Sequence, residues 1–344
     1  MKNILLLLCI AFIILGFGSC KEDNPVEPEA GKRDYTWTAD TINTYMDFID
    51  RVGGASINSL WGVGSSGNGN TVRKYDGTAW PVVTTFTFIE NVFALGCVSD
   101  NNIWAAGYDG YIWRYTGEWE QKLKYTETGV KGFLFLDFCP NRSDDIYLSG
   151  VAYYDDSRNR GIIMRYNGYS WKKVYHSSEN SYYSRICKDA AYPDDYFIYS
   201  LKLSQILGQS DTTTYLKYDG NKMETIYSSP YFNNGCSLIR SIGGRVYFGM
   251  KDGIYRYDNN KFIRYITMPD GDYDWYMPFG RNEKDIFISG QYGIWHYNGT
   301  DTEKIMIFNE QNTFIDAAAF EKDIFILVTP DFKKVIIYHG TLKE

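Results

Sequence analysis

Basic residues are never clustered in this sequence, prolines are few, histidines number three, and the cysteines show no Cys-x-x-Cys or Cys/His spacing. Each shortage removes a class of function. With a formal net charge of -7 and a pI near 5.2, the chain has no concentrated cationic surface for phosphate, which argues against nucleic acid. Without cysteine–histidine spacing, zinc lacks a ligand set. His296 and His339 fall inside a repeated turn described below, so only His176 stands apart, and one histidine makes no triad. The apolar run Ile4 to Leu15 falls short of the roughly 20 residues that span a bilayer. Against 9 prolines stand 32 glycines, 31 tyrosines and an aromatic content of 17%, a balance that suits many short strands joined by tight turns and excludes disorder.

The first residues read as an export signal. Lys2 gives a positive start, Ile4 to Leu15 an apolar stretch, and Gly18 and Ser19 are small residues directly before Cys20. This ending resembles the lipobox of bacterial lipoproteins, with Phe17 where Leu is usual. The resemblance implies removal of residues 1–19, lipidation of Cys20 and anchoring of the mature chain by acyl chains. A plain secretory signal that happens to contain a cysteine is the alternative. Lys21, Glu22, Asp23 and Asn24 resemble the signal that sends some Gram-negative lipoproteins to the outer surface. The expected location is therefore the outer membrane, lipid-anchored and surface-exposed, with the periplasmic face as the alternative. Residues 20–33, with Pro25, Glu27, Pro28 and Glu29, cannot form a core and read as a solvated tether ahead of a domain over 34–344.

One turn motif returns along the mature chain: basic residue, Tyr, Asp or Asn, Gly. Its copies are Lys74-Tyr75-Asp76-Gly77, Arg114-Tyr115-Thr116-Gly117, Arg165-Tyr166-Asn167-Gly168, Lys217-Tyr218-Asp219-Gly220, Arg256-Tyr257-Asp258-Asn259, His296-Tyr297-Asn298-Gly299 and the degenerate Tyr338-His339-Gly340. Ahead of each lies an alternating apolar strand such as Asn102-Ile103-Trp104-Ala105-Ala106-Gly107 or Asp285-Ile286-Phe287-Ile288-Ser289-Gly290. After it comes a large apolar residue: Trp80, Trp119, Trp171, Met223, Phe262. One repeat is thus four antiparallel strands with an Asx-Gly hairpin turn before the last. Seven copies predict an all-β, seven-bladed β-propeller, in which each blade buries its aromatics against the next. The last copy ends too close to Glu344 for an outer strand, whereas Tyr35-Thr36-Trp37-Thr38 has that strand's pattern, so the N-terminal strand should close the last blade.

The pattern resembles bacterial propeller repeats of the "IWAVG, GxIxRYDG, W" type, related to BNR-like and photosystem-assembly-type propellers, over nearly all of the mature chain. The resemblance implies the propeller and little about activity. The sialidase Ser-x-Asp-x-Gly-x-Thr-Trp box and the Trp-Asp endings of WD-type blades are missing. Cys97, Cys139, Cys187 and Cys236 each precede a second strand and read as small buried residues near the ring axis; whether any are bridged stays open in an exported chain.

Residues that recur in register belong to the blade, so functional candidates are those that break it. Asn102, Asp145, Asp195, Asp285 and Asp323 share one position and are read as turn caps. Residues 151–160 and 204–214 read as insertions on one face of the ring. On that face Tyr153, Tyr154 and Asp155, then Tyr182 and Tyr183, then Tyr231 and Phe232, then Asp272, Tyr273, Asp274, Trp275 and Tyr276 combine aromatic rings with carboxylates. Such a rim suits a sugar, whose apolar face stacks on a ring while Asp accepts its hydroxyl hydrogens, and equally suits a protein partner. The same aromatics could instead cap the inner strands. The reading is a monomeric, non-catalytic surface binding or scaffold lipoprotein that needs no cofactor or metal and touches the membrane through its lipid alone. The alternative is a glycan-active hydrolase or lyase, with Asp155, Asp156, Asp272 and Asp274 as the acids to nominate. A third possibility is a part of a membrane assembly machine, which would need a large apolar patch.

Overall fold

The computed structural model describes residues 27–42, 48–66, 69–86, 92–156, 158–204, 209–231, 238–269, 276–290, 292–308, 313–330 and 334–343. Cys20, Phe232, Cys236 and the run from Asp272 to Trp275 lie outside the described residues. Within them the fold is all β apart from one 3-10 turn, Ile57–Ser59. Strand β1 is Tyr35–Ile42, and β2 to β5 are Arg51–Gly54, Leu60–Ser66, Gly69–Lys74 and Val82–Phe86. Strands β6 to β9 are Val92–Ser99, Asn102–Gly107, Tyr111–Tyr115 and Trp119–Lys124; β10 to β12 are Val130–Arg142, Asp145–Tyr154 and Asn159–Tyr166. A long β13, Trp171–Asp189, is followed by β14 to β16, Tyr192–Lys202, Thr212–Tyr218 and Met223–Pro230. Then come β17 to β20, Ile239–Ile242, Arg245–Met250, Gly253–Asp258 and Lys261–Thr267. Strands β21 to β24 are Met277–Asn282, Asp285–Gly290, Gly293–Tyr297 and Thr302–Ile307, and β25 to β27 are Thr313–Ala319, Asp323–Thr329 and Val335–Leu342.

These strands form six antiparallel sheets, five of four strands and one of seven. The larger sheet differs from the expected separate units for a local reason. β13 pairs with β12 through Trp171–Asn180 and with β14 through Ser181–Asp189. Its middle, His176-Ser177-Ser178-Glu179-Asn180, contains no glycine or proline to stop a strand. One unit's outer strand therefore runs on as the next unit's inner strand. The inner strands pack in closed order, β2 on β6, β6 on β10, β10 on β13, β13 on β17, β17 on β21, β21 on β25, and β25 back on β2.

The repeated turn explains itself in atoms. Asp76 Oδ1 accepts from the backbone N–H of Thr78 and Ala79, Asn167 Oδ1 from Tyr169 and Ser170, and Asp219 Oδ1 from Asn221 and Lys222. The tyrosine ahead of each closes the loop: the Tyr75, Tyr166 and Tyr218 hydroxyls donate to the carbonyls of Gly77, Gly168 and Gly220 at 2.7–2.8 Å. Those glycines sit at φ of +88 to +100°, where a side chain would be strained.

The acidic series at the start of the second strands has a different job from the one expected. Rather than capping turns, these side chains reach across to the basic residue of the motif. Asn102 accepts from Arg114 and Asp145 from Arg165, each at 2.8 Å; Asp195 lies 3.7 Å from Lys217; Asp285 and Asp323 hydrogen-bond His296 and His339 at 2.7 Å. Adjacent strands bring opposite polar groups face to face, so the pair fixes register between second and third strands.

Packing between units is aromatic and cyclic. Trp61 meets Tyr115 and Trp119 of the next unit, Trp104 meets Tyr166 and Trp171, Phe197 meets Tyr257, and Phe325 returns to Tyr75 and Trp80. Ring centroids lie 4.7–5.9 Å apart, mostly tilted or edge-on, the favoured arrangement of quadrupoles. The tryptophan and tyrosine enrichment is thus spent inside the ring.

Closure follows the expected route. β1 pairs with β27 from Tyr35↔Leu342 to Ile42↔Val335, giving a sheet ordered β1-β27-β26-β25. Residues just before β1, read as tether, lie along β21–β24: Gly31 N–H donates to Lys284 O at 2.9 Å and Arg33 donates to the carbonyls of His296 and Asp301.

Candidate binding face and central channel

The stretch 151–160 is not an inserted loop but an elongated hairpin. Val151 and Ala152 are fully buried, so β11 continues past Gly150 and pairs Val151↔Gly161, Ala152↔Arg160 and Tyr153↔Asn159 before turning at Asp155–Arg158. At its end Tyr153 meets Tyr182 of β13 edge-on, centroids 6.4 Å apart, and Asn159 Nδ2 donates to the Tyr182 hydroxyl at 2.7 Å. Burial, with the hydroxyls of Tyr182 and Tyr108 alongside, pushes the Tyr153 phenol up. Tyr108 in turn lies edge-on to Phe93 at 5.6 Å. Phe93, Tyr108, Tyr153 and Tyr182 are all half-buried, and together they make an aromatic ledge across three consecutive units.

The other expected residues part company. The Tyr154 ring lies 4.1 Å under the Arg160 guanidinium, and exposed Asp155 sits 3.7 Å from Lys131. Asp156 accepts from Arg158 N–H and pairs with Arg160, which hold its carboxyl below the usual range. Tyr183 and Tyr276, expected at the rim, are 2% and 3% exposed and belong to the core, where the strand-capping alternative describes them. Tyr183 is buried because β13 alternates sides: Tyr182 faces the ledge while Tyr183 packs beneath Gly161, where a Cβ would come within 2.6 Å of its ring. Tyr231 is half-buried at the end of β16.

Tyr183 also floors a cavity of about 550 Å³ between the two halves of β13 and the strands that follow. Its walls are rich in hydroxyls, among them Ser177, Ser181, Ser200, Thr212 and Thr214, with Tyr175 beside Tyr183. The Lys202–Glu179 ion pair, 2.7 Å, stands among its walls.

A second space, about 430 Å³, is enclosed by the inner strands. Cys97, Cys139 and Cys187 line it, as their shared position implied, and all three are unbridged. Sequence reasoning missed its charged tier. Arg51, Asp137, Arg185 and Asp316 pair with Val63, Ser149, Tyr199 and Leu327, in each case two residues past the second-strand aromatic Trp61, Tyr147, Phe197 or Phe325. In β10, β13 and β25 a register shift falls immediately before the charged residue, the kind of bulge that re-aims a side chain. The detectable signal was a charge at an otherwise apolar inner-strand position, visible once the search for irregularities extends beyond loops.

The tier ties neighbouring units together. Arg185 Nη1 lies 3.1 Å from Asp137 Oδ1, while Asp137 Oδ2 accepts from Ile186 N–H at 3.0 Å. Asp316 Oδ2 accepts from Val52 N–H at 3.2 Å, and its Oδ1 pairs with Arg240, which reaches it past the intervening β21. Burial alone would raise the Asp316 carboxyl, but Arg240, Arg185 and Arg51 together hold it below the usual range.

Among the described residues no cluster of His, Cys, Asp and Glu could hold a metal, and no helix is long and apolar enough to cross a membrane. No protein family and no curated protein matches the chain. Solved structures do, and they define the class: the chain has a β-propeller-like fold. YCF48 with a bound D1 peptide is 13% identical over 92% of this chain and all of that one, with a TM-score of 0.61. The extracellular domain of BT4673 from B. thetaiotaomicron, 13% identical, aligns over 90% of this chain and 40% of its own, TM-score 0.55. The β-propeller domain of Cps50 (Swd1) from Myceliophteria thermophila is 10% identical over 90% of this chain and 99% of its own, TM-score 0.58.

Proposed function

We propose that the chain is a lipid-anchored, surface-displayed binding or scaffold protein that presents one face of a seven-bladed propeller to a glycan or protein partner. The seven-blade count rests on the closed order of seven inner strands, with β13 serving two blades. One observation carries the binding reading: Phe93, Tyr108, Tyr153 and Tyr182, all half-buried, come from three consecutive units and gather into one aromatic ledge. Rings left at a rim supply stacking beside the Asn159 amide, and a separate hydroxyl-walled cavity floored by Tyr183 supplies hydrogen-bonding groups. That polar cavity favours a glycan. A protein partner is favoured by the ledge itself, and the YCF48 likeness involves a propeller that carries a peptide.

The non-catalytic reading is supported by the acids at hand. Of the four nominated acids, Asp155 and Asp156 are among the described residues; both stand against basic side chains, and the Asp156 carboxyl is held below the usual range, whereas glycoside hydrolysis needs one carboxyl that keeps its proton. Surface display is supported by the signal-like start of the sequence. The test is a glycan array and a pull-down with the wild-type chain and with Tyr153→Ala and Tyr182→Ala. A ligand bound by wild type and weakened about tenfold or more by each variant supports the ledge. Binding untouched by both variants refutes it.

A further inference from the structure

The channel carries a charge imbalance that the ledge does not explain. Arg51, Arg185 and Arg240 converge on it, and the carboxylates beside them are Asp137 and Asp316, each already engaged by an arginine and a backbone N–H. Arg51 is left over. Its Nη1 donates to the Asp50 carbonyl at 2.7 Å, while its Nε is enclosed and has no acceptor among the described residues. An enclosed, unsatisfied guanidinium donor costs free energy unless something outside the chain pairs with it. Burial, and after it the like charge of Arg185, push the Arg51 guanidinium down to about 10 against the pull of Asp316, Asp137 and Asp50.

We propose that Arg51, Arg185 and Arg240 form a binding site for the carboxylate of a ligand that enters the channel. The planar fork of a guanidinium matches a carboxylate in two parallel hydrogen bonds, so these side chains fit that group better than a spherical anion. Beside the arginines the wall is mixed, with Leu95, Phe138 and Ile239 and the Cys97 and Cys187 thiols next to Lys188 and Ser241. Such lining suits a carboxylate head on a short apolar body, either a free organic acid or the C-terminal end of a peptide. Both sources present the same group to the same arginines.

Calorimetry on the full chain tests this with butyrate against its uncharged counterpart butyramide, and with a short apolar peptide carrying a free or an amidated C-terminus. Butyrate is expected to bind and butyramide not to. Preference for the free-ended peptide over butyrate marks a chain terminus as the source, and the reverse marks a small acid. Arg51→Gln should weaken butyrate at least tenfold, about 1.4 kcal/mol. Tyr153→Ala should leave it unchanged, which separates this site from the ledge. If Arg51→Gln does not fold, Arg240→Gln and the arginine side-chain nitrogen resonances of wild type serve instead, and those resonances should move on adding butyrate. Absence of binding by every carboxylate probe, equal binding of butyramide, or butyrate binding unaltered by Arg51→Gln and Arg240→Gln would each overturn the proposal.

Discussion

Replacing Tyr35 by alanine should destabilise the whole ring although Tyr35 stands at the chain's beginning. Its side chain is 7% exposed, with its ring 6.1 Å from Phe287 edge-on and 5.6 Å from Trp37. Its hydroxyl accepts from Arg281 Nη2 at 2.9 Å. Truncating a buried aromatic costs about 3–5 kcal/mol through lost transfer energy and the cavity left behind. Arg281 does not become an orphan, because Asp285 and the Phe320 carbonyl still hold it, so no further charge penalty is added. For a domain of this size, about 2 °C per kcal/mol converts the loss into a fall of about 6–10 °C in Tm. Tyr35→Phe, which removes the hydroxyl alone, should cost about 1 kcal/mol. Urea and thermal denaturation measure both. A Tyr35→Ala midpoint within about 1 kcal/mol of wild type would refute the claim that β1 seals the ring, and removal of Asp34 to Ile42 should be more severe still.

Three other outcomes follow from named groups. Asp50 is partly buried, and desolvation raises its carboxyl from 3.8 to about 6. A raised acid stabilises the fold while protonated, and that contribution disappears as pH rises from about 4 to 6, so Asp50→Asn should gain about 1 kcal/mol at pH 7 and nothing at pH 4, read from urea midpoints at both. Burial raises the Cys97 and Cys187 thiols to about 12 and Cys139 upward as well, so these three should ignore maleimide in the native state and react when unfolded; native labelling at any of them would contradict the channel assignment. Gly110 sits at φ +75° with Tyr125 O only 2.2 Å from where a Cβ would stand, so Gly110→Ala should cost about 1–3 kcal/mol in denaturation and disturb the adjoining Tyr108 edge of the ledge.

Much of this architecture could be read from the residues because each blade repeats the same solution. The Tyr-Asx-Gly turn, the aromatic before it and the Trp after it recur, so their physical roles are over-determined, and the orphan strand at Tyr35 was recognisable by what the last copy lacked. The site was harder to see. Tyr153 and Tyr182 were found, but Tyr183 and Tyr276 share their composition and differ only in which side of a strand they face, a period-two distinction that a bulge or a longer hairpin shifts by one residue. The span 151–160 looked like a loop because it lengthens a repeat, and only the burial of Val151 and Ala152 shows it to be strand. Arg51, Asp137, Arg185 and Asp316 lie 48 to 265 residues apart in the chain and meet only once the inner strands close into a ring.

An experimental density map viewed down the channel tests that closure most directly. It should show seven radial four-stranded units, with Trp171–Asp189 crossing between two of them and Tyr35–Ile42 hydrogen-bonded along Val335–Leu342 of the same molecule. Six or eight units, or a first strand lying on a neighbouring molecule, would contradict the account and dissolve the charged tier that depends on it.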